Sequence, residues 1–350
     1  MNNIMKTEAA ILVEIKKPLV VAEIEMPSLK PGQVLVDISY SGICHTQLSE
    51  CQGIRGEDKF LPHCLGHEGS GIVRETGTGV TKVKKGDKVI ISWIKGSGSD
   101  IPSTVYQWEN TRVNSGGVTT FSCQSIISEN RLTVIPNDIS MQHAALIGCA
   151  VPTGLGAVLN TAQPRPGQSI VIFGTGGIGL CAVAGAAISG CAPIIAVDIN
   201  PEKLVVAQKM GATHCICSKS TEPLEEIVKI CPGGVDYAIE ATGIPDVMNL
   251  ALTSVRSQGG VAVVIGNARF GDKLAIDPRQ LNMGKQLRGT WGGDNNPDVD
   301  FPRYCQLVKY GRLNLDFLVS PPYPLYEINR ALEDLANGKV VRPLIDISLR

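Results

Sequence analysis

The chain has 350 residues, more than one domain usually holds, so two domains are expected. With 43% hydrophobic and 19% charged residues and a net charge of −1, the composition is that of a globular protein and excludes a general attraction to nucleic acid or anionic membranes. No apolar run approaches the ~18 residues of a membrane span, and Met1 to Leu12 lacks a signal peptide's apolar core, so a cytoplasmic location with reduced cysteines is expected. The cysteine count of 11 is odd and follows no repeated frame, which argues against a disulfide scaffold. Cys181, Cys191, Cys215, Cys231 and Cys305 read as small core residues.

The opening segment is β-rich: Ala9 to Glu14, Leu19 to Glu23, and Gln33 to Tyr40 after the Lys30-Pro31-Gly32 turn. It leads into Cys44-His45-Thr46 and then His63 to Gly71, where Cys44, His67 and Glu68 are donors that zinc accepts. Taken alone, such residues are as readily core or surface positions. Gly77 to Val89 reads as a turn between strands, and the cysteine-free stretch 94–117 as a short polar loop. Phe121 to Pro136 returns to strands, and Ser140 to Ile147 is a short helix ahead of Cys149.

From Ser169 the pattern changes to strand, turn, helix, strand. Ser169 to Phe173 is a β-branched run, Leu180 to Ser189 is rich in small helix formers, and Pro193 to Val197 is apolar again. The intervening turn is Gly174-Thr175-Gly176-Gly177-Ile178-Gly179. Its three spaced glycines suit a tight turn, close approach of backbone to a pyrophosphate, and close helix packing. Asp198 ends the second strand about 20 residues on, where a carboxylate accepts from an adenosine ribose and repels a 2′-phosphate. NAD is therefore favoured, with Lys203 a further ribose contact. The alternation continues through Pro201–Met210, Cys215–Cys217, Pro223–Lys229, Val235–Glu240, Val247–Ser254 and Gly260–Ile265. Thr242 follows one strand on the adenine side; Ile265, Gly266 and Asn267 follow the next, lining the nicotinamide pocket. Helices over Asp300–Tyr310 and Tyr326–Asn337 and a strand over Arg342–Leu349 complete the chain.

Gly42-Ile43-Cys44-His45-Thr46, Gly66-His67-Glu68, Gly86-Asp87-Lys88-Val89 and Gly148 to Ala157, followed by the glycine turn and Asp198, resemble the zinc-dependent medium-chain alcohol dehydrogenases in order and over nearly the full length. The resemblance implies an α/β fold. A doubly wound Rossmann cofactor domain over 153–288 would be inserted in a β-rich GroES-like catalytic domain made of 1–152 and 289–350.

It also implies Cys44, His67 and Cys149 as ligands of one catalytic zinc, with Glu68 able to approach the metal during ligand exchange. Thr46 would take the alcohol proton. His45 would contact the cofactor pyrophosphate, a role shared by Arg342, and Trp93 would wall the substrate pocket. The implied reaction is NAD-linked interconversion of an alcohol (primary, secondary or of polyol or sugar type) and its aldehyde or ketone, in a homodimer or homotetramer. Alternatives are a zinc-free quinone or enoyl reductase of the same superfamily, or a lyase or epimerase using transient oxidation.

Three features depart from the family. Gln47 replaces an acidic partner of the zinc-binding imidazole, and Ser49 stands where an outer proton-relay histidine is usual, with His63 a nearby substitute. The cysteines of a second, structural zinc are missing from 94–117, where Tyr106, Trp108 and Arg112 are candidates to shape substrate access.

Overall fold

The computed structural model describes residues 5–349. In chain order, the strands and helices before Cys149 are β1 (Met5–Leu12), β2 (Val20–Met26), β3 (Gln33–Gly42), α1 (His45–Cys51), β4 (His63–Cys64), β5 (Glu68–Thr76), β6 (Lys88–Ser92), β7 (Val105–Trp108), β8 (Thr111–Asn114), β9 (Gln124–Ser128), β10 (Leu132–Val134) and α2 (Met141–Leu146). The helical run α3 (Ala150–Gly156) continues as a π-helix over Ala157–Ala162. Then come β11 (Ile170–Phe173), α4 (Gly177–Ile188), β12 (Ile194–Asp198), α5 (Pro201–Lys209), β13 (His214–Cys217), α6 (Pro223–Ile230), β14 (Tyr237–Glu240), α7 (Pro245–Ser254), β15 (Val261–Val264), α8 (Pro278–Asn282) and β16 (Gln286–Gly289). The chain closes with α9 (Pro297–Lys309), α10 (Ile328–Ala336) and β17 (Leu344–Asp346).

Two compact units result. The first takes the chain up to Cys149, Asn296–Gly311 and everything from Leu318 onward; the second takes Ala150–Asn295 and Arg312–Phe317. Residues 150–152 go with the second unit because α3 lies against α4: a Cβ on Gly154 would stand 2.2 Å from Ile178 O and 2.5 Å from the Cys181 Cβ.

In the first unit, β1-β2-β7-β8-β4 close a barrel, and β10-β6-β5-β3-β17, with β9 also on β3, make a six-stranded sheet. Ala9, Ile11, Ile24, Tyr106 and Val113 fill the barrel, and Val34, Val36, Val89 and Ile91 pack on the sheet. The stretch 94–117 is therefore not simply a polar loop, because it carries the hairpin that closes the barrel. Tyr106 is only 2% exposed, and its hydroxyl accepts from Ile126 N at 3.1 Å, so it is a core residue rather than a guard of substrate access. Trp108 packs partly buried on the same core, and Arg112 is exposed. The final strand covers three residues, not the eight expected, because pairing with β3 ends at Asp346.

In the second unit six parallel strands are ordered β13-β12-β11-β14-β15-β16. That is the doubly wound order, with its reversal between β11 and β14, where ligands bind at the strands' carboxyl ends. The central strands β11 and β12 are apolar runs, broken only by Asp198 at the end of β12, because both faces are covered: all four residues of β11 and all five of β12 are buried. Cys181, Cys191 and Cys305 are buried as expected, whereas Cys215 is exposed, lying on the edge strand β13. Among the described residues no helix is long and apolar enough to cross a membrane.

Candidate active site

Three segments of the first unit meet at one point. Cys44 follows β3 and is the N-cap of α1, His67 immediately precedes β5, and Cys149 follows α2, whose exit is fixed by Ser92 Oγ donating to Gly148 O at 2.6 Å. The donor atoms of Cys44, His67 and Cys149 all lie within 4.8 Å of one another, and all three side chains are largely withdrawn from water. His67 Nε2 is buried without a hydrogen-bond partner. Two sulfurs and an imidazole nitrogen, one of them orphaned, form the donor set of a three-ligand zinc site, and these residues fit the metal.

The protonation of the trio points the same way. Cys149 hydrogen-bonds to the Cys44 sulfur and pulls the Cys44 thiol well below its usual value, with Arg342 and His67 adding to the effect against burial. Cys149 is correspondingly pushed well above its own, first by its hydrogen bond to Cys44 and then by burial.

Each ligand has a partner. Trp93 Nε1 donates to Cys149 Sγ at 3.3 Å, and the indole stands edge-on to His67 with ring centroids 6.4 Å apart. Trp93 is thus both a wall beside the ligands and a hydrogen-bond donor to one of them. Cys44 Sγ lies 3.6 Å from Thr46 Oγ1. Gln47 is buried: its Oε1 accepts from Cys44 N at 2.8 Å, and its Nε2 donates to His67 Nδ1 at 2.5 Å. That sense of bonding puts the ring hydrogen of a neutral His67 on Nε2, the atom that would ligate, whereas a carboxylate at 47 would accept from both neighbours.

Glu68 is fully buried and ion-paired with Arg342, itself 2% exposed; Gly42 leaves the space, since a Cβ there would stand 2.5 Å from Glu68 Oε1. Burial raises the Glu68 carboxyl, and Arg342 works against it. Arg342 keeps its charge in spite of burial because Glu68 and the two sulfurs surround it. His45 is exposed in the first turn of α1, and Ser49 is half-buried on the same helix. Both ring nitrogens of His63 are engaged, Nε2 with Asp58 Oδ2 at 2.8 Å and Nδ1 with Cys64 O at 3.2 Å. A cavity of about 250 Å³ adjoins His67 and Trp93, walled by Gly116, Gly117 and Val118. Arg131 also lines it, a residue the motifs do not single out because it is brought there by the short helical turn before β10.

The second unit holds the glycine turn between β11 and α4. Gly174 has φ +85°, a left-handed conformation open to glycine, and a Cβ on Gly179 would fall 1.7 Å from Gly174 O. At Gly176 a Cβ would meet nothing within 4 Å, so the backbone there is open to a ligand. No side chain caps α4, leaving the first-turn N–H groups of Gly177 and Ile178 to a phosphate. Asp198 Oδ2 accepts from Thr175 N at 2.6 Å and Thr175 Oγ1 at 2.9 Å, and Oδ1 accepts from Asn200 N at 2.8 Å. The carboxylate is thus tied to the turn and keeps lone pairs for ribose hydroxyls.

Lys203 is half-exposed in the first turn of α5. Thr242 is held by Glu240, whose Oε1 accepts from Thr242 N at 2.6 Å and Gly243 N at 2.9 Å. This buried carboxylate was not singled out in the sequence, though an acid ending the apolar run Tyr237-Ala238-Ile239 was the available signal. Ile265 and Gly266 are half-buried and Asn267 exposed at the end of β15.

Comparison with known proteins settles the family. Residues 30–137 match the model of the alcohol dehydrogenase GroES-like domain, and 177–309 that of the zinc-binding dehydrogenases. The S-(hydroxymethyl)glutathione dehydrogenase of Synechocystis sp. is 35% identical, covering 97% of this chain and 100% of its own length. The chain belongs to the zinc-dependent medium-chain alcohol dehydrogenases. Its fold is accordingly shared with a solved alcohol dehydrogenase zinc-binding domain protein from Burkholderia ambifaria, at a TM-score of 0.92 and 30% identity over 99% of this chain and 100% of that one. Benzyl alcohol dehydrogenase from Acinetobacter calcoaceticus aligns at a TM-score of 0.89 and 28% identity, over 98% and 100%. As a member, the protein is a zinc-dependent, NAD-linked oxidoreductase of alcohols and their carbonyl partners, with Cys44, His67 and Cys149 fitting the catalytic zinc.

Proposed function

We propose that the enzyme oxidises a primary or secondary alcohol, polyols included, reversibly to its aldehyde or ketone, with Cys44, His67 and Cys149 holding one catalytic metal per chain. The observation that carries this reading is the orphaned, buried His67 Nε2 with the sulfurs of Cys44 and Cys149 within 4.8 Å. Zinc bound there supplies Lewis acidity that lowers the pKa of an alcohol hydroxyl. Thr46 Oγ1 accepts the alcohol's proton and passes it through water to Ser49, one helical turn further along α1. Trp93 walls the alcohol's substituent, and Glu68, paired with Arg342, keeps a carboxylate within reach of the ligand cluster.

On the cofactor side the Gly174–Gly179 backbone and the first turn of α4 take the pyrophosphate, joined by His45 and Arg342. Asp198 and Lys203 hold the adenosine ribose, and Asp198 selects NAD over its 2′-phosphorylated form. Thr242 contacts the adenine side, and Ile265 to Asn267 line the nicotinamide. The assembly is a homodimer or homotetramer in the cytoplasm. The full donor set argues against a zinc-free quinone or enoyl reductase.

Metal per chain, by plasma mass spectrometry on protein purified without added metal, tests the reading, alongside NADH formation on a panel of primary, secondary and polyol substrates. Wild type should carry about one zinc and Cys149→Ala almost none, with NADH formation lost in the variant. Zinc unchanged in Cys149→Ala, or NAD reduction by zinc-free protein, would overturn it.

A further inference from the structure

The cavity beside the metal ligands is lined by charged groups that are not alike. Glu50 accepts from Arg55 Nη1 at 2.7 Å, and His63 Nε2 lies 2.8 Å from Asp58 Oδ2, so each has a side-chain partner at hand. Arg131 has none: among the described residues it forms no ion pair, and its one hydrogen bond runs from Nη1 to the backbone oxygen of Trp93. Asp100 attracts it through space, yet its oxygens are taken by Lys95 at 2.6 Å and Asn130 at 3.1 Å. Burial lowers the guanidinium's pKa, the mark of a cation drawn out of water without compensation. Gly117 keeps the approach clear, because a Cβ there would stand 2.9 Å from Arg131 Nη2. The free edge of the guanidinium is a planar fork, matched in geometry to a carboxylate.

Trp93 sets the spacing. Its carbonyl takes Arg131 while its indole N–H reaches Cys149 Sγ at 3.3 Å, so about one tryptophan residue separates the guanidinium from the metal ligands.

We propose that Arg131 anchors a carboxylate in the substrate cavity, and that the enzyme prefers alcohols carrying such a group about one aromatic ring's length from the carbinol carbon. The proposal rests on the alcohol oxidation argued above and names the substrate class of that site.

Two probes of one shape separate the possibilities: benzyl alcohol and 4-(hydroxymethyl)benzoate. Their dissociation constants from the zinc-loaded protein, by calorimetry, and their kcat/KM values with NAD are compared in wild type, R131Q and R131K. The wild type should favour the benzoate by about tenfold or more, the gain from one charge-assisted hydrogen-bonded pair, with the difference in KM rather than kcat. R131Q should abolish the preference, and R131K, which keeps the charge but loses the fork, should retain part of it. Any loss through a displaced Trp93 falls on both probes and cancels in their ratio. A wild-type ratio near one, or a ratio unchanged in R131Q, as when the metal captures the carboxylate directly, would overturn the proposal. A binding preference that R131Q removes, without NADH from either probe, would uphold the anchor and overturn alcohol oxidation; NADH from both probes without preference would do the reverse.

Discussion

At the glycine turn the chain offers a ligand mainly backbone: Gly174, Gly176 and Gly179 bring no side chains, and Asp198 is held by N–H and O–H donors of Thr175 and Asn200. At the Cys44–His67–Cys149 cluster it offers side chains from three distant segments. Each of these is steered by another side chain: Gln47 on His67, Trp93 on Cys149, Thr46 beside Cys44. The contrast teaches what each site cannot bear. At Gly174 and Gly179 the turn has no room for an added methyl group, whereas the cluster depends on the sign and direction of every hydrogen bond.

The largest effect at the cluster comes from stranding a buried charge. Arg342→Met leaves Glu68 buried without its cation, and a loss of about 3–5 kcal/mol is expected in urea denaturation. Glu68→Gln added to Arg342→Met should recover most of it, since the cost lies in the uncompensated charge and not in lost packing. A double variant no more stable than the single one would show that packing had been the cause. The matching change at the turn is Gly179→Ala. Its Cβ would fall 1.7 Å from Gly174 O, so the turn must open, at about 2–3 kcal/mol in the second unit's stability and with a sharp drop in calorimetric NAD affinity. Zinc content should stay at the wild-type level. If zinc were lost as well, the two sites would not be separable in the way their construction implies.

Legibility followed the same division. The βαβ frame was readable because a parallel strand buried on both faces is an unbroken apolar run and the turn's glycines are a local requirement. The hairpin β7–β8 was not, because Gln107, Glu109, Asn110, Thr111 and Arg112 make it look like loop. Tyr106 and Val113, paired across the hairpin, fill the barrel interior with Trp108 packed partly buried beside them, too few positions to declare a period. The helical run 150–162 was hidden by Gly154 and Gly156, poor helix formers kept where α4 and Gly293 come too close for a side chain. Cys44, His67 and Glu68 stood out in the sequence as donor types and Cys149 entered through the family resemblance, but the ligands' partners were not legible. Nothing local says that Trp93 donates to a sulfur, that Arg131 reaches the same cavity, or which end of the Gln47 amide meets the imidazole.

That last point yields the smallest and most specific test. Gln47 faces two donors once a metal is bound, the N–H of Cys44 and the Nδ1–H that His67 must carry if Nε2 is to give its lone pair to the ion. Its amide has a single accepting end, so one of the two contacts is donor against donor whichever way the amide turns. Glutamate has the same reach and two accepting oxygens. Gln47→Glu should therefore raise zinc affinity by about 10–100-fold, read by competition with a chromogenic chelator. The same measurement on Gly179→Ala should show no change, because that substitution acts on backbone in the other unit. Weaker zinc binding in Gln47→Glu would mean that the added charge beside Glu68 and the two sulfurs outweighs the repaired hydrogen bond. The cluster would then be limited by its net charge and not by the sense of its contacts.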